Sequence, residues 1–461
     1  MHPFQIGNYM TARSNADELG VEKIGKLLLQ YSIPAIIATA AASLYNIIDR
    51  IFIGQGVGPL AISGLALTFP LMNILAAFGS MVGIGSSAMV SIRLGQHDRN
   101  GATLILGNAV MLCIILGIIV PALTFIFLEP ILRALGASSD TLPYAKEFMQ
   151  VILVGNMFTH LYLGLNNIMR ASGYPKKAMI TTLVTVAVNL ALAPVFIFVL
   201  KWGIRGAALA TVFAQITGTI LATYHFTRID SFVHFLPGYM KLKKAIIRDI
   251  FSIGTSNFLI LICSSVVVSI MNLSLSRYGG DYAIGAFGII NSIANLIVMI
   301  VIGFTQGMQP IVGFNFGAKQ IPRVTRTYKL TVFSGVCVAT VGFLFSELFP
   351  GQIATAFTTN KELIDLAAHG MRLNFIMLPI VGFQIVTTNF FQSIGKAKIT
   401  ILLSMSRQVL LLIPALLILP HFLGLDGAWL SGPVADLTSS LITFIVLQWQ
   451  IKKMKHGYSI Q

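Results

Sequence analysis

Charge is what this sequence has least of. Asp, Glu, Lys and Arg together make up 10% of its 461 residues, where a soluble domain carries roughly 25%. That shortage excludes a water-soluble globular fold. Cysteine is nearly absent as well: Cys113, Cys263 and Cys337 all sit in apolar runs, with no disulfide framework and no metal-ligand spacing. Also missing are a GK[ST] phosphate loop, a Gly-x-Ser-x-Gly elbow and any cluster of histidines, the eight His being scattered. Neither an enzyme activity nor a cofactor is therefore expected. An ATP-driven pump would need a nucleotide-binding domain, and the stretches between apolar runs are too short to hold one.

Hydrophobic residues take up 56% of the chain. Windows of about 20 apolar residues, enough to cross roughly 30 Å of hydrocarbon, recur over nearly the whole length. Twelve spans are expected, near 28–54, 60–92, 104–127, 147–170, 177–200, 205–227, 249–276, 282–314, 328–348, 366–392, 399–420 and 425–450. An outer-membrane barrel would instead show many short alternating segments. The fold class is thus all-α, a polytopic protein of the lipid bilayer. A polar segment precedes the first span, with no short apolar region and small-residue cleavage site. That span is expected to act as an uncleaved insertion signal.

Lys and Arg set the orientation. With both termini and every second loop inside, the outside loops hold only Arg133, Lys146, Lys201, Arg205, Arg277 and Lys361. Arg50, Arg372 and Arg407 lie within spans, and the rest of the 31 basic residues are inside, as in "MKLKKAIIR", "AKQIPRVTRTYK" and "IKKMK". This bias puts the N- and C-termini in the cytoplasm of a multi-pass plasma (inner) membrane protein. It also accounts for the +15 net charge without a nucleic-acid partner, since the cations sit in short clusters between spans.

The chain repeats itself. "RLGQ" at 93–96 matches "NFGA" at 315–318, and "MRASGYPKKA" at 169–178 matches "FQSIGKAKIT" at 391–400, both 222 residues apart. "IRGAALA" at 204–210 pairs with "LDGAWLS" at 425–431, and "YSIPA" at 31–35 with "FSIGT" at 251–255. Six helices per repeat make both halves enter the membrane in the same direction, so two six-helix lobes flank a central cleft. The expected division is an N-terminal lobe over 1–228, a cytoplasmic linker over 229–247 and a C-terminal lobe over 248–461. Such lobes suit alternating access.

Of the sixteen acidic residues, two lie well inside spans: Asp49, in "SLYNIIDRIFIG", and Asp436. An intramembrane carboxylate costs about 2.5–3.5 kcal/mol on insertion scales, which makes each a functional candidate. From the outer ends of their helices, Asp49 and Thr211 lie roughly 8–9 Å deep and Asn189 roughly 17 Å, at about 1.5 Å per residue. These three could meet in the N-terminal lobe as an oxygen-rich cation site. It would take Na⁺, or let Asp49 carry a proton, since burial disfavours the charged carboxylate. Tyr45, one turn before Asp49, would reach the same cavity. The structural alternatives are a neighbouring Arg50 as counter-charge, although adjacent helix positions point about 100° apart, and interhelical bonding for Asn189 and Thr211. Asp436 has a structural partner in Arg407 of the preceding span, and a buried ion pair is favoured there over a second coupling site. Phe, Met and Tyr side chains, Phe69 and Met72 among them, would suit flat, often cationic drugs or dyes.

"KLLLQYSIPAIIATAAASLYNIIDRIFIGQGVGPLAISGLALTFP" resembles the first two helices of the multidrug and toxic compound extrusion (MATE) family, in its MepA-like group near the DinF branch. "NNIMRASGYPKKAM" and "WGIRGAALAT" are similar to the family as well, and the likeness runs along the whole chain. The resemblance implies export of cationic or amphipathic drugs in exchange for H⁺ or Na⁺ by a monomer, with Asp49, Asn189 and Thr211 as the cation site. It implies that Pro34 lets the first helix bend and that Asn166 lies near the substrate cavity. Two departures matter. Ala193 stands where relatives carry a second polar residue, which favours H⁺ over Na⁺, and helices seven and ten lack the acids of the NorM branch. The expected function is a secondary active multidrug antiporter. The alternative is a flippase for a lipid-linked oligosaccharide, which would need a cationic cavity for pyrophosphate.

Overall fold

The computed structural model describes residues 15–228, 232–236 and 238–458. Residues 1–14 of the N-terminal segment, 229–231 and 237 of the expected linker, and 459–461 lie outside the described residues. Among the described residues the fold is all-α. Every backbone polar group in a hydrocarbon layer must find its partner within its own segment, and a helix provides that.

The elements are α1 (Asn15–Val21), α2 (Ile24–Gly56), α3 (Pro59–Gly95), α4 (Arg99–Ile126), α5 (Leu128–Ala134), α6 (Leu142–Ala171), α7 (Pro175–Pro194) and α8 (Gly203–Thr227). After the linker come α9 (Lys244–Gly317), α10 (Ile321–Leu348), α11 (Pro350–Thr355), α12 (Lys361–Phe375), α13 (Leu378–Ser393), α14 (Ala397–Met405) and α15 (Ile413–Tyr458). Single π-turns extend α7 over Val195–Val199 and join α14 to α15 over Ser406–Leu412. Among the described residues, ten helices are long and apolar enough to cross a membrane. The pair α12–α13 makes a further span bent by 52°, and the run 397–450 breaks in two at Gly424, whose φ is 59°. Twelve spans result. The bend in the tenth, expected as one span over 366–392, follows from Pro379, which has no N–H and whose ring crowds the carbonyl four residues earlier.

The repeat reappears in the backbone. Positive φ angles occur at Gly58 and Gly280, at His97 and Lys319, and at Gly173 and Gly395, three pairs each separated by the repeat interval. His97 and Lys319 are not glycines, and both lie in the turns that leave matching helices.

Packing differs between the two ends of the bundle. At the end bearing the linker, one apolar core runs through both halves and joins Leu27, Val90, Ile168, Ile250, Ile311 and Phe391. At the far end the core splits in two, one part around Leu75, Phe148 and Ala207, the other around Ile290, Phe375 and Trp429. The halves are therefore joined at the linker end and part towards the other. Close backbone approach holds the joint. A side chain at Gly95 would strike the Phe314 carbonyl, and one at Gly317 would strike the Ile92 carbonyl. Helix α1 adds a strap across the same end: the Arg323 guanidinium donates to the carbonyls of Leu19 (3.0 Å) and Glu22 (2.7 Å), and Asn315 Nδ2 donates to Leu19 O at 2.9 Å. The linker is tied to α4 in turn, with Lys243 N donating to Asn108 Oδ1 at 2.8 Å and Asn108 Nδ2 to Lys241 O at 3.2 Å.

Candidate functional site

A cavity of about 430 Å³ lies between α2, α6, α7 and α8, closed on its other side by α9. Its volume falls within the range of drug-sized pockets. Pro34, Tyr45, Asn166, Asn189 and Thr211 all line it. Helix α2 runs along its wall, and Pro34 within that helix leaves the carbonyl of Gln30 without its usual helical donor.

Thr211 is the meeting point of three helices. Asn189 Nδ2, on α7, donates to Thr211 Oγ1 at 3.2 Å. The Tyr45 hydroxyl, on α2, lies 3.4 Å from the same oxygen, and Thr211 itself donates to Ala207 O at 3.2 Å. Asp49 follows Tyr45 by one helical turn and is 8% exposed. Its Oδ1, together with Asn189 Oδ1 and Gln215 Oε1, is a buried oxygen with no hydrogen-bond partner among the described residues. Buried acceptors normally find donors. Asp49 is not itself among the residues lining the cavity; a buried carboxylate oxygen with an unused lone pair suits a proton or a hard cation held by oxygens. Arg50 does not pair with Asp49. It is exposed, with its guanidinium over the Phe69 ring at 5.7 Å.

Two expected cavity residues are corrected. Phe69 is 51% exposed and lies under Arg50. Met72 packs against the far-end core of the N-terminal half, where its sulfur accepts from Thr68 Oγ1 at 3.8 Å. Neither is among the residues lining the cavity, which α3 borders through Ser80 and Ile84, further along the helix towards the linker end. Ala193 is fully buried in the same far-end core. In the C-terminal half, Arg407 Nε donates to Asp436 Oδ1 at 2.5 Å. The π-turn over Ser406–Leu412 carries Arg407, and Asp436 is 7% exposed.

Sequence reasoning missed Arg170. Counted among the inside-facing loop charges, it instead projects from the last turn of α6 into the cavity lining. Its guanidinium donates to Asn167 Oδ1 at 2.9 Å, to Asn166 Oδ1 at 3.5 Å and, across the two halves, to Gln306 Oε1 on α9. The signal was present: Asn166, Asn167 and Arg170 stand at i, i+1 and i+4 of one helix, so the amides and the cation share a face.

The sequence model of the MatE family matches this chain twice, over residues 34–195 and 257–417. The chain belongs to the MatE family. The paired match covers a large part of each half of this MatE protein, in keeping with its repeat. Among its relatives are two called multidrug export protein MepA. The one from Staphylococcus haemolyticus (strain JCSC1435) is 27% identical over 424 residues, covering 92% of this chain and 93% of that one. The one from Staphylococcus aureus (strain NCTC 8325 / PS 47) is 27% identical over 422 residues, with the same shares. Solved structures share the fold. One is a multidrug resistance MATE transporter in an outward-facing conformation, with a TM-score of 0.90 at 23% identity, covering 96% of this chain and 99% of that one. Another is a MATE transporter in a bent conformation, with a TM-score of 0.91 at 22% identity, covering 97% and 100%. At such identities the likeness speaks for the fold alone.

Proposed function

We propose that this MatE protein is a secondary active multidrug antiporter, importing a cation while exporting amphipathic drugs. The observation that carries the reading is the buried Asp49 oxygen, without a partner among the described residues and one helical turn beyond Tyr45, with the Tyr45–Thr211–Asn189 cluster lining the wall of a drug-sized cavity. Export of several drugs is what the printed names of the MepA relatives describe, and that description fits a cavity of this size.

In this reading the linker end is cytoplasmic, following the Lys and Arg bias, and the protein works as a monomer in the plasma membrane. The lobes are 1–228 and 248–461, joined by 229–247, and they rock about the joint. The closed linker end is then the inner gate, and the lobes part towards the outside. Asp49 takes the cation from that side. Loss of its negative charge removes an acceptor site from α2, which bends at Pro34 and narrows the cavity, expelling the drug. Return to the inward-open state releases the cation inside. Coupling follows because each ligand binds one conformation better than the other, and the linkage is reciprocal. H⁺ is the favoured ion because Ala193 supplies no second carboxylate. A flippase is disfavoured, since one arginine in the cavity is too little cation for a pyrophosphate.

Dye efflux from proteoliposomes tests this. Wild type is expected to export under an inward pH gradient, and Asp49→Asn to be inactive while folding normally. Normal gradient-driven export by Asp49→Asn would sink the mechanism. Export driven by Na⁺ alone would replace H⁺ with Na⁺ at the same oxygens.

A further inference from the structure

Among the described residues, the cavity wall carries one formal charge, and it is positive. Of all the lining residues only Arg170 is ionic. The others are apolar, hydroxyl-bearing or amide-bearing, among them Tyr162, Asn166, Asn167 and Gln306. Its three hydrogen-bond acceptors are all neutral amide oxygens, and among the described residues no carboxylate pairs with it. The Nε of Arg170 has no partner among the described residues either. Buried or enclosed guanidinium groups are normally matched by an anion, most often in a two-pronged contact with a planar carboxylate.

The cation also sits at a defined end. Pro34 and Tyr45 both line the cavity and are eleven positions apart on α2, which is roughly 16 Å at 1.5 Å per residue. Arg170 stands at the linker end of that length, near Pro175, while Tyr45 and Thr211 mark the other end. Asp49 lies one turn of α2 beyond Tyr45. The pocket is therefore polarised, positive at the linker end and negative just past the opposite end, with a largely apolar middle.

We propose that Arg170 forms a subsite for the carboxylate of zwitterionic amphiphiles, whose cationic part lies towards the Tyr45 end. This rests on the reading of the cavity as the drug site and names a substrate class for it. A purely cationic drug meets an unfavourable charge at the linker end. A zwitterion of the same shape satisfies Arg170 and gains orientation. Asn167 and Gln306 hold the guanidinium in place, and one arginine matches a single anionic group.

A matched pair of dyes isolates the carboxylate: tetramethylrhodamine, a zwitterion at neutral pH, and its methyl ester, a cation of nearly the same shape. Fluorescence anisotropy with the full-length purified protein in detergent gives both affinities. Wild type is expected to bind the acid at least as tightly as the ester. Arg170→Gln should weaken the acid tenfold or more and leave the ester within about threefold, and Arg170→Lys should restore part of the loss. Equal weakening of both dyes by Arg170→Gln would show that Arg170 only latches the halves together and would overturn the proposal. A tenfold preference of wild type for the ester would overturn it without any variant. If wild type binds neither dye, the drug-cavity reading fails first. If the ester binds normally and the acid ignores Arg170, only the carboxylate subsite fails.

Discussion

Gln309 Nε2 donates to Ser87 Oγ at 2.7 Å, and the two residues stand 222 positions apart, the interval at which the two halves of the sequence match. Each is the other's counterpart, so they meet on the pseudo-two-fold axis that relates the halves. Ser91 and Gly313, also counterparts, touch one turn further along the same two helices. Beyond them the contact becomes reciprocal, with Gly95 against the Phe314 carbonyl and Gly317 against the Ile92 carbonyl. Helix α3 and the part of α9 beyond its break at Gly280 (Tyr282–Gly317) thus pack with the self-complementarity of a two-fold dimer interface, although one chain supplies both sides.

That reciprocity predicts matched effects from Gly95→Val and Gly317→Val. Each adds a branched side chain where a neighbouring carbonyl already lies, and overpacking of this kind costs about 1–3 kcal/mol. Both variants should lower the melting temperature by similar amounts and raise thiol labelling of a cysteine placed at Ser91. A large effect from one glycine and none from the other would contradict the two-fold seam.

Arg323→Ala should release α1. Three donors, two from Arg323 and one from Asn315, hold the carbonyls of Leu19 and Glu22, and hydrogen bonds from charged donors contribute about 1.5–3 kcal/mol. Amide hydrogen exchange over Asn15–Val21 is expected to quicken, with exchange in α6 unchanged. Unaltered protection of α1 would mean that its apolar contacts through Leu19 suffice.

The twelve spans could be read from the sequence because lipid imposes a simple rule: long apolar runs, basic clusters on one side. The repeat was readable for a similar reason, since glycines such as Gly95 and Gly317 are kept small by backbone contact and leave a mark at a fixed interval. The bend before Pro379 was signalled by the proline, but an apolar run does not reveal whether a helix continues through it. Which face of a helix looks inward was harder still. In a membrane protein both faces are apolar, so nothing in the pattern separated Phe69, outside the cavity lining, from Tyr45, within it. Arg170 was hidden by its place near a span end, where a basic residue ordinarily marks the cytoplasmic surface. Only the α9 helix crossing over it, with Gln306, encloses it.

The Arg407–Asp436 pair should behave as a structural ion pair. Removing one partner leaves the other enclosed without its counter-charge, which costs about 3–5 kcal/mol when the site is fully buried. Here the Arg407 side chain keeps 30% exposure, which favours the lower end. Asp436→Asn should therefore lower thermal stability clearly, while Asp436→Leu combined with Arg407→Met should lose less than the two single changes together. Efflux per folded molecule should stay near wild type in Asp436→Asn. Abolished export from a stable, well-folded Asp436→Asn protein would instead give the C-terminal half a part in coupling.

Thr211→Val tests whether the three-helix junction is part of the ion path or only interhelical adhesive. The change keeps shape and removes the hydroxyl that accepts from Asn189 and lies beside Tyr45. An unsatisfied buried donor costs about 1–3 kcal/mol, so some loss of stability follows under either role. The readouts separate them. As part of the ion site, Thr211→Val should cut gradient-driven efflux several-fold while binding of a cationic dye to detergent-purified protein stays close to wild type. Tyr45→Phe should do less, because its contact at 3.4 Å is already at the long end for a hydroxyl pair. If Thr211→Val loses stability but exports at the wild-type rate once corrected for folded protein, the hydroxyl only joins helices. The Asp49 carboxylate would then have to work without it.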